Sequence, residues 1–198
     1  MIQSDTILEI RDLSKAFPGV QALDAVSFSI ERGQIHSIVG ENGAGKSTLT
    51  KIITGIHQRD TGSIAYDGRD VDYRTIYNSI EDNMYLVFQE LSLCPNLTVA
   101  ENVFLGKLGL RFPDKHGFVN KRQVFDEAVT HLKELNIDVP VDAHVGDLEV
   151  AQQQLVEIAK ALVIKPKLLI LDEPTSALTD DEVKNLFALM ERLRAEGV

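Results

Sequence analysis

The stretch 40-GENGAGKST-48, entered through the apolar run 35-IHSIV-39, decides how the chain is read. Gly40, Gly45, Lys46 and Ser47 match the pattern G-x-x-x-x-G-K-[ST], and Gly43 adds a glycine inside it. The apolar run predicts a buried strand. The residues after the loop predict a helix with Leu49, Ile52, Ile53 and Ile56 on one face and Gly55 near its end. Strand, glycine loop and helix in that order are the context of a phosphate-binding loop. Glycines let the backbone curl until successive amides, among them those of Glu41, Asn42, Ala44 and Thr48, converge on phosphate oxygens. The helix N-terminus adds its dipole in the same direction. Lys46 would bridge the terminal phosphates and the Ser47 hydroxyl would ligate Mg²⁺. With glycine at about 7% of ordinary sequences, a chance match in a chain of this length is on the order of 1%.

A second signal lies far downstream, in 168-LLILDEP-174. Four apolar residues predict a buried strand, and two carboxylates leave its C-terminal end together, where open parallel sheets bind ligands. Asp172 suits a magnesium shell. Glu173, one residue on, points elsewhere and suits polarising an attacking water. A third, weaker signal is Gln89, at the end of the apolar run 84-MYLVF-88. A neutral amide there contacts metal and orients water without adding charge.

The rest of the chain fits an α/β protein with a helical lobe inserted between two strands of one parallel sheet. Residues 6–17 and 23–34 read as antiparallel strands around the Pro18-Gly19 turn, and 62-GSIAYDG-68 as a strand closed at Asp67-Gly68. From Leu91 to about Ile164 the spacing becomes helical. Val124, Phe125, Ala128, Leu132 and Leu135 form one stripe behind the N-cap candidate Asn120. Pro166 ends this region, and a last helix runs from about Asp180 to Ala195.

Composition narrows the function classes. The chain has 198 residues, 44% hydrophobic and 25% charged, which is one ordinary globular domain's worth of core. Its net charge of -10 argues against sequence-independent nucleic-acid binding, which needs a basic surface. The single Cys94 excludes an internal disulfide. No apolar run approaches the roughly 20 residues of a membrane span, and the N-terminus reads as no signal peptide, so a cytoplasmic location is expected.

The phosphate loop, Gln89, 152-QQQLVEIAKAL-162 and 168-LLILDEPTSALT-179 occur in the order and spacing of an ABC-type ATPase domain, which the chain resembles over nearly its whole length. Within that family it is most similar to the ATP-binding subunits of bacterial monosaccharide importers, on 13-LSKAFPGVQALDAVSF-28, Glu41, 87-VFQELSLCPNLTVAENVFLG-106 and the glutamine triplet. The resemblance implies a RecA-like P-loop core of mainly parallel sheet over residues 1–89 and 165–198. It implies an N-terminal antiparallel β subdomain and a helical subdomain over 90–164. ATP with Mg²⁺ would be hydrolysed between two such domains packed head to tail. Phe17 takes the place of the aromatic that stacks on adenine, and Gly40 to Thr48 that of the phosphate loop. Ser47, Gln89 and Asp172 take the metal positions, and Glu173 that of the general base, with Lys46 and Gln89 beside it. Ser176, Ala177, Leu178, Thr179 and Asp180 take the place of the loop touching the partner domain. The implied partners are a second ATPase domain, a membrane permease received on the loop after Gln89 and, indirectly, a periplasmic or lipoprotein solute-binding protein. The implied place is the inner face of the cell membrane.

Three departures qualify this. The histidine that holds the γ-phosphate in the family would follow Val198, and His36, His57, His116, His131 and His144 are out of order to replace it. Since such subunits usually carry two ATPase domains, the chain reads as a fragment. The segment 73-YRTIYNSIEDNMY-85 is unlike the family's usual small-residue stretch. Finally, Leu148, Glu149, Val150, Ala151 and Gln152 occupy the slot of the LSGGQ signature, whose serine and second glycine meet the partner's γ-phosphate. Here Glu149 replaces the serine and Ala151 the glycine. A carboxylate about 5 Å from a phosphate oxygen costs roughly 3 kcal/mol at an effective dielectric of about 20. The helix dipole returns only about 1 kcal/mol. An ATPase powering uptake of a small solute is the leading expectation, and a nucleotide-binding but weakly hydrolytic domain the alternative.

Overall fold

The computed structural model describes residues 5–113, 118–175 and 178–198. Strand β1 (Thr6–Phe17) pairs antiparallel with β2 (Val20–Glu31), and Phe17 faces Val20 across the Pro18-Gly19 turn. Gly19 sits at φ 80, a conformation that proline before it and a missing Cβ make inexpensive. On its other edge β1 pairs with β3 (Thr61–Tyr66), which continues through the Asp67-Gly68 turn into β4 (Arg69–Val71). The sheet order is β2-β1-β3-β4. Two positive-φ residues interrupt the β1–β2 ladder, and a serine across the strand holds each. The Asp12 N–H donates to Ser27 Oγ at 2.8 Å, and the Ala25 N–H to Ser14 Oγ at 2.9 Å.

Helix α1 (Lys46–Ile53) packs Leu49, Ile52 and Ile53 with Ile7, Leu8, Ile10 and Leu13 of β1 in one buried cluster. Ile56, expected on the same face, lies past the helix end and is 36% exposed. Helix α2 (Ile76–Glu81) occupies the unusual segment before β5 (Met84–Val87). The chain then runs through α3 (Val99–Val103), α4 (Leu108–Arg111), α5 (Lys121–Glu134), a 3₁₀ turn at Val145–Asp147 and α6 (Val150–Leu162). It returns to β6 (Leu168–Leu171) and ends in α7 (Asp180–Ala195). Strands β5 and β6 neighbour each other in a two-stranded sheet although the segment from α3 to α6 separates them in sequence.

The expected strand before the glycine loop does not form. Residues 35–40 carry no strand assignment, and Ile35, Ile38 and Val39 are 38%, 41% and 91% exposed. An apolar run becomes a strand only when neighbours supply ladder partners and cover its faces, and among the described residues neither sheet includes this run as a paired strand. For the same reason β6 is half-buried along its length, not enclosed.

The chain divides into two compact units. The first is Met1–Leu86, Pro166–Asp172 and Met190–Val198, with the antiparallel sheet, α1, α2 and most of β5 and β6. The second is Val87–Lys165 and Glu173–Leu189, whose core joins Val99, Val103, Phe104 and Phe112 to Val124, Ala128, Leu132 and Val156. Asn120 caps α5 by accepting the Gln123 N–H at 3.2 Å. Phe125, placed on the buried stripe by spacing, is 39% exposed, because the buried side of α5 narrows to Val124, Ala128 and Leu132.

Candidate phosphate-binding and carboxylate site

Gly45 forms the N-cap of α1 at φ 88, and a Cβ built there would lie 2.2 Å from the Ala22 carbonyl oxygen. Only glycine fits, both for its left-handed backbone and for its neighbour. Upstream, Gly43 takes φ 85 and the Ala44 N–H donates to the Glu41 carbonyl at 3.1 Å, which closes the loop into a turn. Lys46 Nζ donates to the carbonyls of Gly40 at 2.8 Å and Glu41 at 3.0 Å, so the ammonium lies folded onto the loop it serves. Residues 40–44, Asn42 among them, are exposed, and the first turn of α1, including Thr48, carries no acid. The helix therefore offers an open, positively polarised amide end.

From the same helix, Ser47 Oγ donates to Asp172 Oδ1 at 3.3 Å, joining residues 125 positions apart. Asp172 follows directly on β6. A hydroxyl and a carboxylate are hard oxygen donors. Mg²⁺ takes one or two carboxylates and fills its octahedron with water and phosphate oxygens, so this pair fits the ion.

In the second unit Gln89 Nε2 donates to Glu173 Oε2 at 3.1 Å, a pair separated by 84 residues. Gln89 lies two residues past the end of β5. Glu173 is held at φ 51, in the left-handed region that non-glycine residues seldom adopt. An amide donor on one carboxylate oxygen fixes the plane of the carboxylate, and so the direction from which it can take a proton.

Phe17 ends β1 and is 37% exposed. His57 meets its ring edge-on with centroids 5.5 Å apart, and Lys15 Nζ lies 5.4 Å from its centroid. Asp60 ties this end down, with Oδ1 accepting from Lys15 Nζ at 2.7 Å and Oδ2 from the Ala16 N–H at 2.7 Å. The backbone hydrogen bond first, and Lys15 second, hold the Asp60 carboxyl below its ordinary range.

At the signature slot, α6 begins at Val150 with Glu149 as its N-cap, and the Glu149 N–H donates to Gln152 Oε1 at 3.3 Å. Leu148 is half-buried, Val150 exposed and Ala151 buried, while the Leu148 carbonyl accepts from Gln153 Nε2 at 3.0 Å. Glu149 is exposed, so water screens its charge and the repulsion estimate for direct contact falls toward the surface range of about 1 kcal/mol. In the loop expected to touch a partner domain, Ser176 and Ala177 lie outside the described residues. The Leu178 N–H donates to Thr175 O at 3.2 Å. Thr179 exchanges hydrogen bonds with Glu182, its N–H reaching Oε2 at 2.9 Å, just ahead of α7 at Asp180.

His116 lies outside the described residues. His36 stacks on Phe28 at 5.4 Å, His131 Nε2 meets the Ala159 carbonyl at 2.9 Å, and His144 opens the 3₁₀ turn. Sequence reasoning missed the cluster of Ser92, Glu157 and Lys160. Its only sequence signal is a pair of charges at i and i+3 inside the apolar helix 155-LVEIAKAL-162.

A glycine loop at a helix N-terminus, with its serine set against the aspartate that closes a distant strand, defines a P-loop nucleotide-binding fold of the α/β class. A family profile described as "ABC transporter" matches residues 23–176, and the chain belongs to that family. Arabinose import ATP-binding protein AraG of Rhizobium meliloti (strain 1021) is 45% identical over 190 residues, 96% of this chain and 37% of that protein. Xylose import ATP-binding protein XylG of Thermoanaerobacter pseudethanolicus is 46% identical over 197 residues, 98% of this chain and 38% of that protein. The chain thus spans 37–38% of the length of these curated relatives. Among solved structures, a nucleotide-free ATP-binding cassette from an ABC transporter matches with a TM-score of 0.84 at 28% identity, over 98% of this chain and 79% of that one. A dimeric cassette in a post-hydrolysis state bound to ADP and Pi matches with a TM-score of 0.81 at 27% identity, over 96% and 84%. Among the described residues no helix is long and apolar enough to cross a membrane.

Proposed function

We propose that this chain is the ATP-binding and ATP-hydrolysing domain that powers import of a monosaccharide or related small solute through a membrane permease. The observation that carries the reading is the approach of Ser47 Oγ to Asp172 Oδ1 beneath an open, lysine-bearing glycine loop. The import function rests on the likeness to sugar-import ATP-binding proteins.

In this reading the amides of residues 40–48 cradle the phosphates. Lys46 swings from the carbonyls of Gly40 and Glu41 onto the terminal phosphates, a movement that costs two neutral acceptors and gains charged ones. Ser47 and Asp172 would hold Mg²⁺, which when bound neutralises charge on the phosphate oxygens. Glu173 takes the proton of the attacking water, and Gln89 aims that carboxylate by its hydrogen bond. Phe17 offers its exposed ring to the adenine. Residues 148–152 and 176–180 face a second ATPase domain. The loop after Gln89 meets the permease, and a solute-binding protein delivers the solute outside the cell. The domain lies against the cytoplasmic side of the membrane. Residues 90–164 serve as its helical subdomain, and 1–89 with 165–198 as its core.

Glu149 at the head of α6 favours a second reading, a nucleotide-binding domain with slow hydrolysis in the partner's site. Measuring MgATP affinity and phosphate release on the full-length protein and its Glu173→Gln variant tests the first. The variant should bind MgATP as the parent does and release phosphate at least a hundredfold more slowly, about 3 kcal/mol of lost transition-state stabilisation. A parent that fails to bind MgATP, or a variant that hydrolyses at the parent's rate, contradicts it.

A further inference from the structure

Inside the second unit, Glu157 of α6 is 1% exposed, and its Oε1 accepts from Ser92 Oγ at 2.6 Å. Lys160, one turn on, donates from Nζ to Ser92 O at 3.0 Å, Ser92 Oγ at 3.0 Å and Glu157 Oε1 at 3.4 Å. A buried carboxylate and its ammonium thus converge on one serine, three residues after Gln89. The next part of the same loop is fastened from α3. Asn102, fully buried, accepts the Cys94 N–H at 2.7 Å and donates to the carbonyls of Cys94 and Thr98, each at 3.0 Å. The loop from Ser92 to Thr98 is therefore bound to the helical unit at both ends. Only residues 88–91 separate that fastening from the end of β5, and Gln89 lies among them, bonded to Glu173.

A buried ion pair in a cluster of this kind is a weak source of stability, because removing two charges from water costs about what their attraction returns. Its geometric effect is larger. A fork of an ammonium and a carboxylate on one hydroxyl and one carbonyl fixes the direction in which the chain leaves Ser92. We propose that Glu157 and Lys160 are positioning residues for hydrolysis. By latching Ser92 to α6 they set where Gln89 stands against Glu173, and so the aim of the carboxylate at its water. Among the described residues the Glu157 Oε2 atom and the nearby Gln154 Nε2 are buried without a partner, an acceptor and a donor on one helix. The latch therefore holds unused hydrogen-bonding capacity on the face that grips the loop. The inference rests on the ATP-hydrolysing reading of the site.

The test is the split between kcat and MgATP affinity in the full-length protein. Glu157→Leu/Lys160→Met replaces the ion pair with apolar groups of similar volume and leaves no buried charge unpaired. It should lower kcat about tenfold to a hundredfold, the cost of a misplaced reacting group, with MgATP affinity within about twofold of the parent. Glu157→Gln, which keeps an acceptor for Ser92 and Lys160, should retain most of kcat. Ser92→Val leaves the ion pair in place, so it folds even if the double variant does not, and should lower kcat by about threefold or more at unchanged affinity. An unchanged kcat in Ser92→Val overturns the latch, as does a fall in affinity that tracks kcat. A parent that hydrolyses no ATP overturns the ATPase reading and this one with it. A parent that hydrolyses ATP beside unaffected variants overturns the latch alone.

Discussion

Helices α1 and α6 both begin at a loop that the sequence marks for phosphate, yet their N-termini are finished in opposite ways. The end of α1 is capped by Gly45, has no acid in its first turn and keeps a lysine folded over an exposed loop. The end of α6 is capped by Glu149, whose own N–H is taken by Gln152. The first end presents unmet amides and positive charge, and the second satisfies amides internally and adds negative charge. A helix N-terminus is thus a permissive feature, and the residue at its cap decides whether an anion is welcome.

Predictions that break or sharpen this contrast run from large to small. Gly45→Ala should be the most damaging change. Its Cβ would meet the Ala22 oxygen at 2.2 Å and its φ of 88 would be strained, which together should cost about 3 kcal/mol or more in urea unfolding and abolish MgATP binding. Survival of nucleotide binding would show that the open end of α1 is not the anion site. Lys46→Ala should spare the fold and weaken MgATP binding by about 2 kcal/mol, roughly thirtyfold, read by titration calorimetry. Glu149→Ser acts at the other end. It should tighten ATP-driven association of two domains by about 1 kcal/mol, and the gain should shrink as salt rises. No change at low salt would mean that the charge on α6 never faces the nucleotide.

The helix α5 serves as a control end with no assigned ligand. Asn120→Ala should cost about 1 kcal/mol of thermal stability and leave nucleotide affinity untouched. The smallest effect concerns pH. Asp60 is held below its ordinary value of 3.8 by the Ala16 N–H first and Lys15 second. Its folded pKa is the lower one, so its contribution is complete above the unfolded value and fades as pH falls through the folded one. Between about pH 5 and pH 2, Asp60→Asn should therefore show a flatter loss of stability than the parent, measured by thermal melting.

Much of this contrast was legible in the sequence because it is local. The glycine pattern around Lys46, the capping residue Asn120, the Pro18-Gly19 turn and the extents of β1 and α7 follow from neighbouring residues, and the structure has them where spacing puts them. Residues 35–40 show the limit. Their apolar run reads as a buried strand, but strand formation needs partners, and Val39 is 91% exposed. Phe125 fits the helical stripe by angle, yet the width of the buried face is fixed by what packs on it. The pairs Ser47–Asp172 and Gln89–Glu173 could be nominated from motifs but measured only in space. Of the Ser92–Glu157–Lys160 cluster the sequence shows only the charge pair on α6, since residues 65 and 68 positions apart carry no shared pattern that would add Ser92 to it.

The left-handed backbone at Glu173 carries a consequence for evolution and engineering. A non-glycine residue at φ 51 costs on the order of 1 kcal/mol, and asparagine tolerates that region better than glutamate. Replacing Glu173 by asparagine therefore relieves the backbone while deleting the carboxylate. If Glu173 is the base of the proposed hydrolysis, a screen that rewards heat resistance alone would drift toward an inert protein at this position, and only selection on turnover would keep the strained residue in place.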